Sequence, residues 1–147
     1  MSESRYEDAP KSVIRVVKQM IKNEFPVMRE FNTKVILDTK GMKSKGKRLF
    51  GKLRKADDLN KFLSKAEENS FEGYTFVMIL DKELVEAAPK SDLKRVVFHE
   101  LNHGGMDEKG KPILIDHDFE GFYVELDYNN DDPSWKERLA ALLEHGG

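Results

Sequence analysis

The segment Ser91-Asp-Leu-Lys-Arg-Val-Val-Phe-His-Glu-Leu-Asn-His103 carries two patterns at once. Leu93, Val97 and Leu101 recur every four residues, which puts them on one face of an α-helix. His99 and His103 are also four apart, so they lie about 40° from each other around the axis and roughly opposite the apolar face. Ser91 is a candidate N-cap and Gly104-Gly105 a C-terminal stop, so a helix is expected from Asp92 to about His103. Such a helix packs one side on a core and lines a cleft with the other.

Working outward, the run Tyr74-Thr-Phe-Val-Met-Ile-Leu80 is apolar throughout and predicts a strand buried on both faces. Lys34-Val-Ile-Leu-Asp38 and Arg48-Leu-Phe-Gly-Lys-Leu-Arg54 predict two more strands, with a basic turn between Gly41 and Gly46. Pro10 opens a helix through Val13, Val16, Val17, Met20 and Ile21 that stops near Phe25-Pro26. Asp57 or Asp58 caps a helix carrying Leu59, Phe62 and Leu63, and a short helical turn follows Asp81. Downstream, Pro112 to Ile115 reads as extended, and Phe119 to Asp127 and Trp135 to Glu144 read as helices. The expected fold is α+β, with about three strands in one sheet. Residues 1–9 are expected to be disordered and 10–147 to form one domain.

Composition narrows the function. The 147 residues contain no cysteine, which excludes a disulfide framework and a thiolate metal site; any metal must be held by His, Asp or Glu. No apolar run approaches bilayer length, and the first residues lack the apolar core of a secretory signal, so a cytoplasmic location is expected. The formal net charge of -2 hides an uneven distribution: residues 99–147 hold 12 acids and 4 bases, so the excess of cations lies upstream.

His99-Glu100-Leu101-Asn102-His103 matches H-E-x-x-H. Two imidazoles one helical turn apart can share one metal ion, and a glutamate beside the first can serve as general base toward a water activated there. A catalytic zinc site needs three protein ligands and an open position. His117 is the natural third, because Asp116 and Asp118 flank it and can accept its second ring N–H. Glu120 is the competitor, since a downstream helical glutamate can fill the same role. Tyr123 and His145 are candidate oxyanion donors by residue type alone.

Phe98-His-Glu-Leu-Asn-His103, Asp107-Glu-Lys-Gly110 and Asp116-His-Asp-Phe-Glu-Gly-Phe122 together resemble the putative phage metallopeptidase family, a zincin-like group in which H-E-L-x-H precedes a G-H-D-x-x-x-F segment. The resemblance extends over roughly residues 33–145. Asp116 stands where the family has a small residue, and Asn102 is more polar than the usual occupant. The resemblance implies a minimal zincin fold, with His99, His103 and His117 as zinc ligands and Glu100 as catalytic acid and base. It also implies a protein or peptide substrate and, for a phage-encoded chain, the bacterial host cytoplasm.

One feature stands apart from that chemistry. Lys40, Lys43, Lys45, Lys47, Arg48, Lys52, Arg54 and Lys55 occur without one intervening acid. The block reads as a solvated hairpin, or as a surface for phosphates on which Lys43, Lys45, Lys47, Arg48, Lys52 and Arg54 would meet nucleic acid, with Phe50 as a stacking group. Two functions are therefore in view: a zinc metallopeptidase, and a non-catalytic binding module that uses residues 40–55 to hold nucleic acid or an acidic partner.

Overall fold

The computed structural model describes residues 4–44, 46–68, 73–115, 128–129, 131–132 and 135–136. In chain order the elements are β1 (Tyr6–Asp8), α1 (Lys11–Glu24), a 3₁₀ turn (Pro26–Glu30), β2 (Thr33–Asp38), β3 (Met42–Ser44), β4 (Lys47–Leu49) and β5 (Gly51–Lys55). They continue with α2 (Asp58–Glu68), β6 (Phe76–Asp81), α3 (Lys82–Ala87), α4 (Lys90–Leu101), β7 (Gly104–Met106) and β8 (Pro112–Leu114). The fold is α+β.

Strand β6 is flanked on both sides in a four-stranded sheet ordered β1-β2-β6-β5. It runs parallel to β2 and antiparallel to β5, and β1 pairs antiparallel with the outer side of β2. Phe76, Met78 and Leu80 are fully buried and share one face with Val35 and Leu37 of β2 and Leu53 of β5. Helices α1 and α4 complete this core with Val13, Val16, Val17 and Met20 from one and Leu93, Val96, Val97 and Leu101 from the other. The residues at 93, 97 and 101 thus pack as their spacing predicts.

The sheet has one strand more than expected, because the polar segment Tyr6-Glu-Asp8 forms β1 rather than disordered chain. Its own side chains are exposed; backbone pairing and ion pairs hold it, among them Glu7 with Lys82 and Asp8 with Lys34. Arg5 Nε donates to Asp38 Oδ2 at 2.9 Å, and Asp38 Oδ1 accepts from the amides of Lys40 and Gly41 at the turn after β2. The expected strand from Arg48 to Arg54 is interrupted at Phe50: its first part pairs with β3 in a separate hairpin, its second with β6. Ser91 is not a cap, since α4 begins at Lys90 behind Pro89. Helix α4 does stop ahead of Gly104-Gly105, and the two glycines go on into β7.

Asp81 ends β6 as Asp38 ends the neighbouring β2. Its carboxylate accepts from the amides of Glu83 and Leu84, capping α3, and from two nitrogens of Arg48 at 2.9 and 3.0 Å. Helix α4 is fixed laterally in a similar way. The buried Arg95 donates to Asn129 and, through two nitrogens, to Asp131, while Phe98 stacks on Tyr128 at 3.9 Å.

The Asp38 pair has a pH signature. Burial alone would push the Asp38 carboxyl up, but the Arg5 guanidinium and the two turn amides together hold it below the usual 3.8. Its stabilising effect is therefore present above pH 3.8 and is lost as pH falls through the lower folded-state value. Arg5→Gln is expected to raise the Asp38 pKa, read by carboxyl ¹³C titration, and to move acid unfolding to higher pH. Identical titration curves in parent and variant would contradict the role given to Arg5.

Candidate metal and catalytic site

Helix α4 ends at Leu101, but helical geometry persists through Asn102, whose side-chain amide donates to the Phe98 carbonyl at 2.8 Å. His103 therefore stays one helical turn from His99. Their ring centroids are 5.4 Å apart and the planes are inclined at 81°. Two imidazoles bound tetrahedrally to one zinc through nitrogens at about 2.0–2.1 Å bring their centroids to roughly 5 Å, so the spacing fits a shared ion.

His103 is held by a backbone clasp. Its Nδ1 lies 2.6 Å from the Ile115 carbonyl oxygen, and the Ile115 amide donates to the His103 carbonyl. A carbonyl only accepts, so Nδ1 is the donor, and in the neutral ring this leaves Nε2 the lone pair a metal ligand needs. The clasp continues the pairing of β7 with β8, in which Gly104 faces Leu114.

Glu100 is buried, with 7% of its surface exposed, and leans against the start of β5. A Cβ built on Gly51 would come within 3.1 Å of Glu100 Cγ and 3.1 Å of Leu80 Cδ2. The glycine thus gives the carboxylate arm its space. His99, Glu100 and His103 are brought to one end of α4, beside the first residue of β5 and the last residues of the β7–β8 hairpin.

His117, Glu120, Tyr123 and His145 lie outside the described residues, as do Asp116, Asp118 and the expected helix from Phe119 to Asp127. Among the described residues no group of three metal-ligating side chains converges. Sequence reasoning missed two contributors. Ile115 acts through its backbone carbonyl and leaves no side-chain signature. Gly51 did leave a signal, as a glycine inside a strand pattern, which marks a close approach.

The basic block separates into unlike parts. Arg48 is corrected from a nucleic-acid contact to a structural residue: its guanidinium is held by the buried Asp81 and by Glu83 at 3.2 Å. Phe50 packs partly buried against the core and is no stacking group. Lys45 lies outside the described residues. Lys43, Lys52 and Arg54 are exposed, the last two on one face of β5.

A family model described as putative phage metallopeptidase matches residues 4–145. No curated protein matches the chain, and no solved structure does. Among the described residues no helix is long and apolar enough to cross a membrane.

Gly51→Val is expected to cost about 1–3 kcal/mol by overpacking and to shift the Glu100 carboxyl resonance. Urea unfolding and ¹³C NMR read the two effects. A variant as stable as the parent with an unmoved resonance would contradict the packing of Glu100 on β5.

Proposed function

The chain belongs to the putative phage metallopeptidase family, and on that premise we propose that it is a zinc-dependent peptidase in which His99, His103 and His117 hold the metal and Glu100 is the general base. The observation that carries this reading is the hydrogen bond from His103 Nδ1 to the Ile115 carbonyl, which presets the imidazole for ligation. The same clasp supports His117 as third ligand. Ile115 is fixed beside His103, and His117 is the second residue after it in sequence. Glu120, three residues further on, is the alternative.

Zinc bound there would supply Lewis acidity toward a scissile carbonyl and make an attacking water more acidic. The remaining work belongs to the chain. Glu100, next to His99 in sequence and held against Gly51, accepts the proton of the attacking water and returns it to the leaving amine. Its burial limits competing solvent. A nucleic-acid-binding module is the second reading; it rests on Lys43, Lys45, Lys47, Lys52 and Arg54, with Arg48 withdrawn.

Elemental analysis of protein purified without chelator is expected to give one zinc per chain. His103→Ala should lose most of it, and His117→Ala should lose more than Glu120→Ala. Glu100→Gln should keep zinc and melting temperature while casein hydrolysis falls by roughly 10²- to 10⁴-fold. Absence of zinc uptake, or parental hydrolysis in Glu100→Gln, would overturn the reading.

A further inference from the structure

Helix α2 turns its apolar stripe the wrong way for a core helix. Leu59, Phe62 and Leu63, at spacings of three and four, are 63%, 66% and 64% exposed. The orientation is fixed from the other side. Ser64 Oγ accepts from the Tyr74 amide at 2.8 Å, and Gly73, at φ +69°, lies so close that a Cβ would stand 2.1 Å from the Lys61 carbonyl. The helix is therefore pinned by its polar face, with its apolar stripe presented outward. Contiguous apolar surface of this kind marks binding sites more often than ordinary surface.

The stripe borders a cavity of about 700 Å³. Phe62 lines one wall, Met106 and Pro112 of the β7–β8 hairpin line the other, and Phe31 and Thr75 contribute between them. Met106 is itself 41% exposed. The volume lies within the range of pockets that enclose small ligands and side chains.

Charge defines the occupant further. Lys61, Lys65 and Lys111 line the cavity against Glu30 and Asp58, leaving a surplus of positive charge. Asp58 sits in the first turn of α2, where the helix amides offset its charge, so the effective surplus is larger. Lys65 Nζ is 5.7 Å from the Phe62 ring centroid, which sets a cation beside an exposed aromatic surface.

The cavity lies toward the Lys55 end of β5, where Thr75 lines it and accepts from the Ala56 amide. Strand β5 begins at Gly51 beside Glu100 and ends at Lys55, three residues before α2, and β7 leaves directly from His103 toward Met106. At about 3.3 Å per residue the length of β5 separates the two ends by roughly 13 Å. An extended chain reaching from one to the other spans about four residues.

We propose that the groove between α2 and the β7–β8 hairpin is a substrate-anchoring subsite for an extended polypeptide segment, taking an aromatic or aliphatic side chain flanked by acidic residues about four positions from the bond cut. This rests on the peptidase reading and names its substrate class. Phe62 and Met106 receive the apolar side chain, and the three lysines receive the carboxylates.

The test reads binding without hydrolysis, using the Glu100→Gln protein and three fluorescein-labelled peptides in a Gly-Ser context. One carries Leu-Phe flanked by aspartates, one has lysines for the aspartates, and one has alanines for Leu-Phe. Anisotropy is expected to show the first binding at least about tenfold more tightly than either other, a difference of about 1.4 kcal/mol. Phe62→Ser, at an exposed position that leaves folding intact, should remove that advantage, and Lys61→Glu with Lys65→Glu should reverse the charge preference. Amide shifts should change in α2 and residues 106–112. Equal binding of the three peptides, binding of none, or shifts confined elsewhere would overturn the subsite. So would a concentration-dependent dimer abolished by Phe62→Ser, which would make a second copy the occupant. Selective peptide binding by a chain that takes up no zinc would instead overturn the peptidase and leave the groove standing.

Discussion

Helix α4 is under a double constraint, and the site depends on how it is met. Eight of its 12 residues are buried, including Asp92, Arg95 and Glu100, so three charged groups are taken from water along with the apolar face. Each must be compensated where it lies. Arg95 is compensated by Asn129 and Asp131, which lie on chain far downstream and so fix the helix against the far end of the fold. With the helix immobilised by Leu93, Val97 and Leu101 on the sheet side, the residues at its C-terminal end have little freedom. His99, Glu100 and His103 inherit that rigidity.

The neighbouring elements convert rigidity into orientation. The His103–Ile115 clasp couples the end of α4 to the second strand of the hairpin, so the imidazole tautomer is set by backbone rather than by a side chain that mutation could replace. The absence of a side chain at Gly51 lets Glu100 approach the sheet edge. At the same end of the sheet, one residue past the Gly51–Leu80 pair, Asp38 and Asp81 stop β2 and β6 and draw in Arg5 and Arg48, which ties β1 and the β3–β4 hairpin to the same sheet. Helix α4, edge strand and hairpin therefore share one frame.

Much of this was legible because periodicity reports local burial. The positions of α1, the core of β6 and the apolar face of α4 follow from spacing alone, as does the helical adjacency of His99 and His103. What was not legible depends on partners distant in sequence. Tyr6–Asp8 has no strand pattern and is a strand because β2 lies beside it. Arg48 looks like part of a basic surface until Asp81, 33 residues away, accepts its guanidinium. Leu59, Phe62 and Leu63 announce a stripe, but spacing says nothing of which way the helix is turned; the contacts of Ser64 and Gly73 decide that. His117 and Glu120 are distinguished by neither spacing nor the described structure.

The central claim is that His99 and His103 form one metal site whose geometry the clasp to Ile115 presets. Anomalous diffraction at the zinc absorption edge, from crystals of zinc-loaded protein, tests it most directly. The account predicts a single peak about 2.0–2.1 Å from a ring nitrogen of His99 and from Nε2 of His103, with His103 Nδ1 still on the Ile115 carbonyl and both Glu100 oxygens outside ligand distance. A peak bonded to His103 Nδ1, a peak ligated by Glu100, or zinc bound away from the two histidines would contradict it.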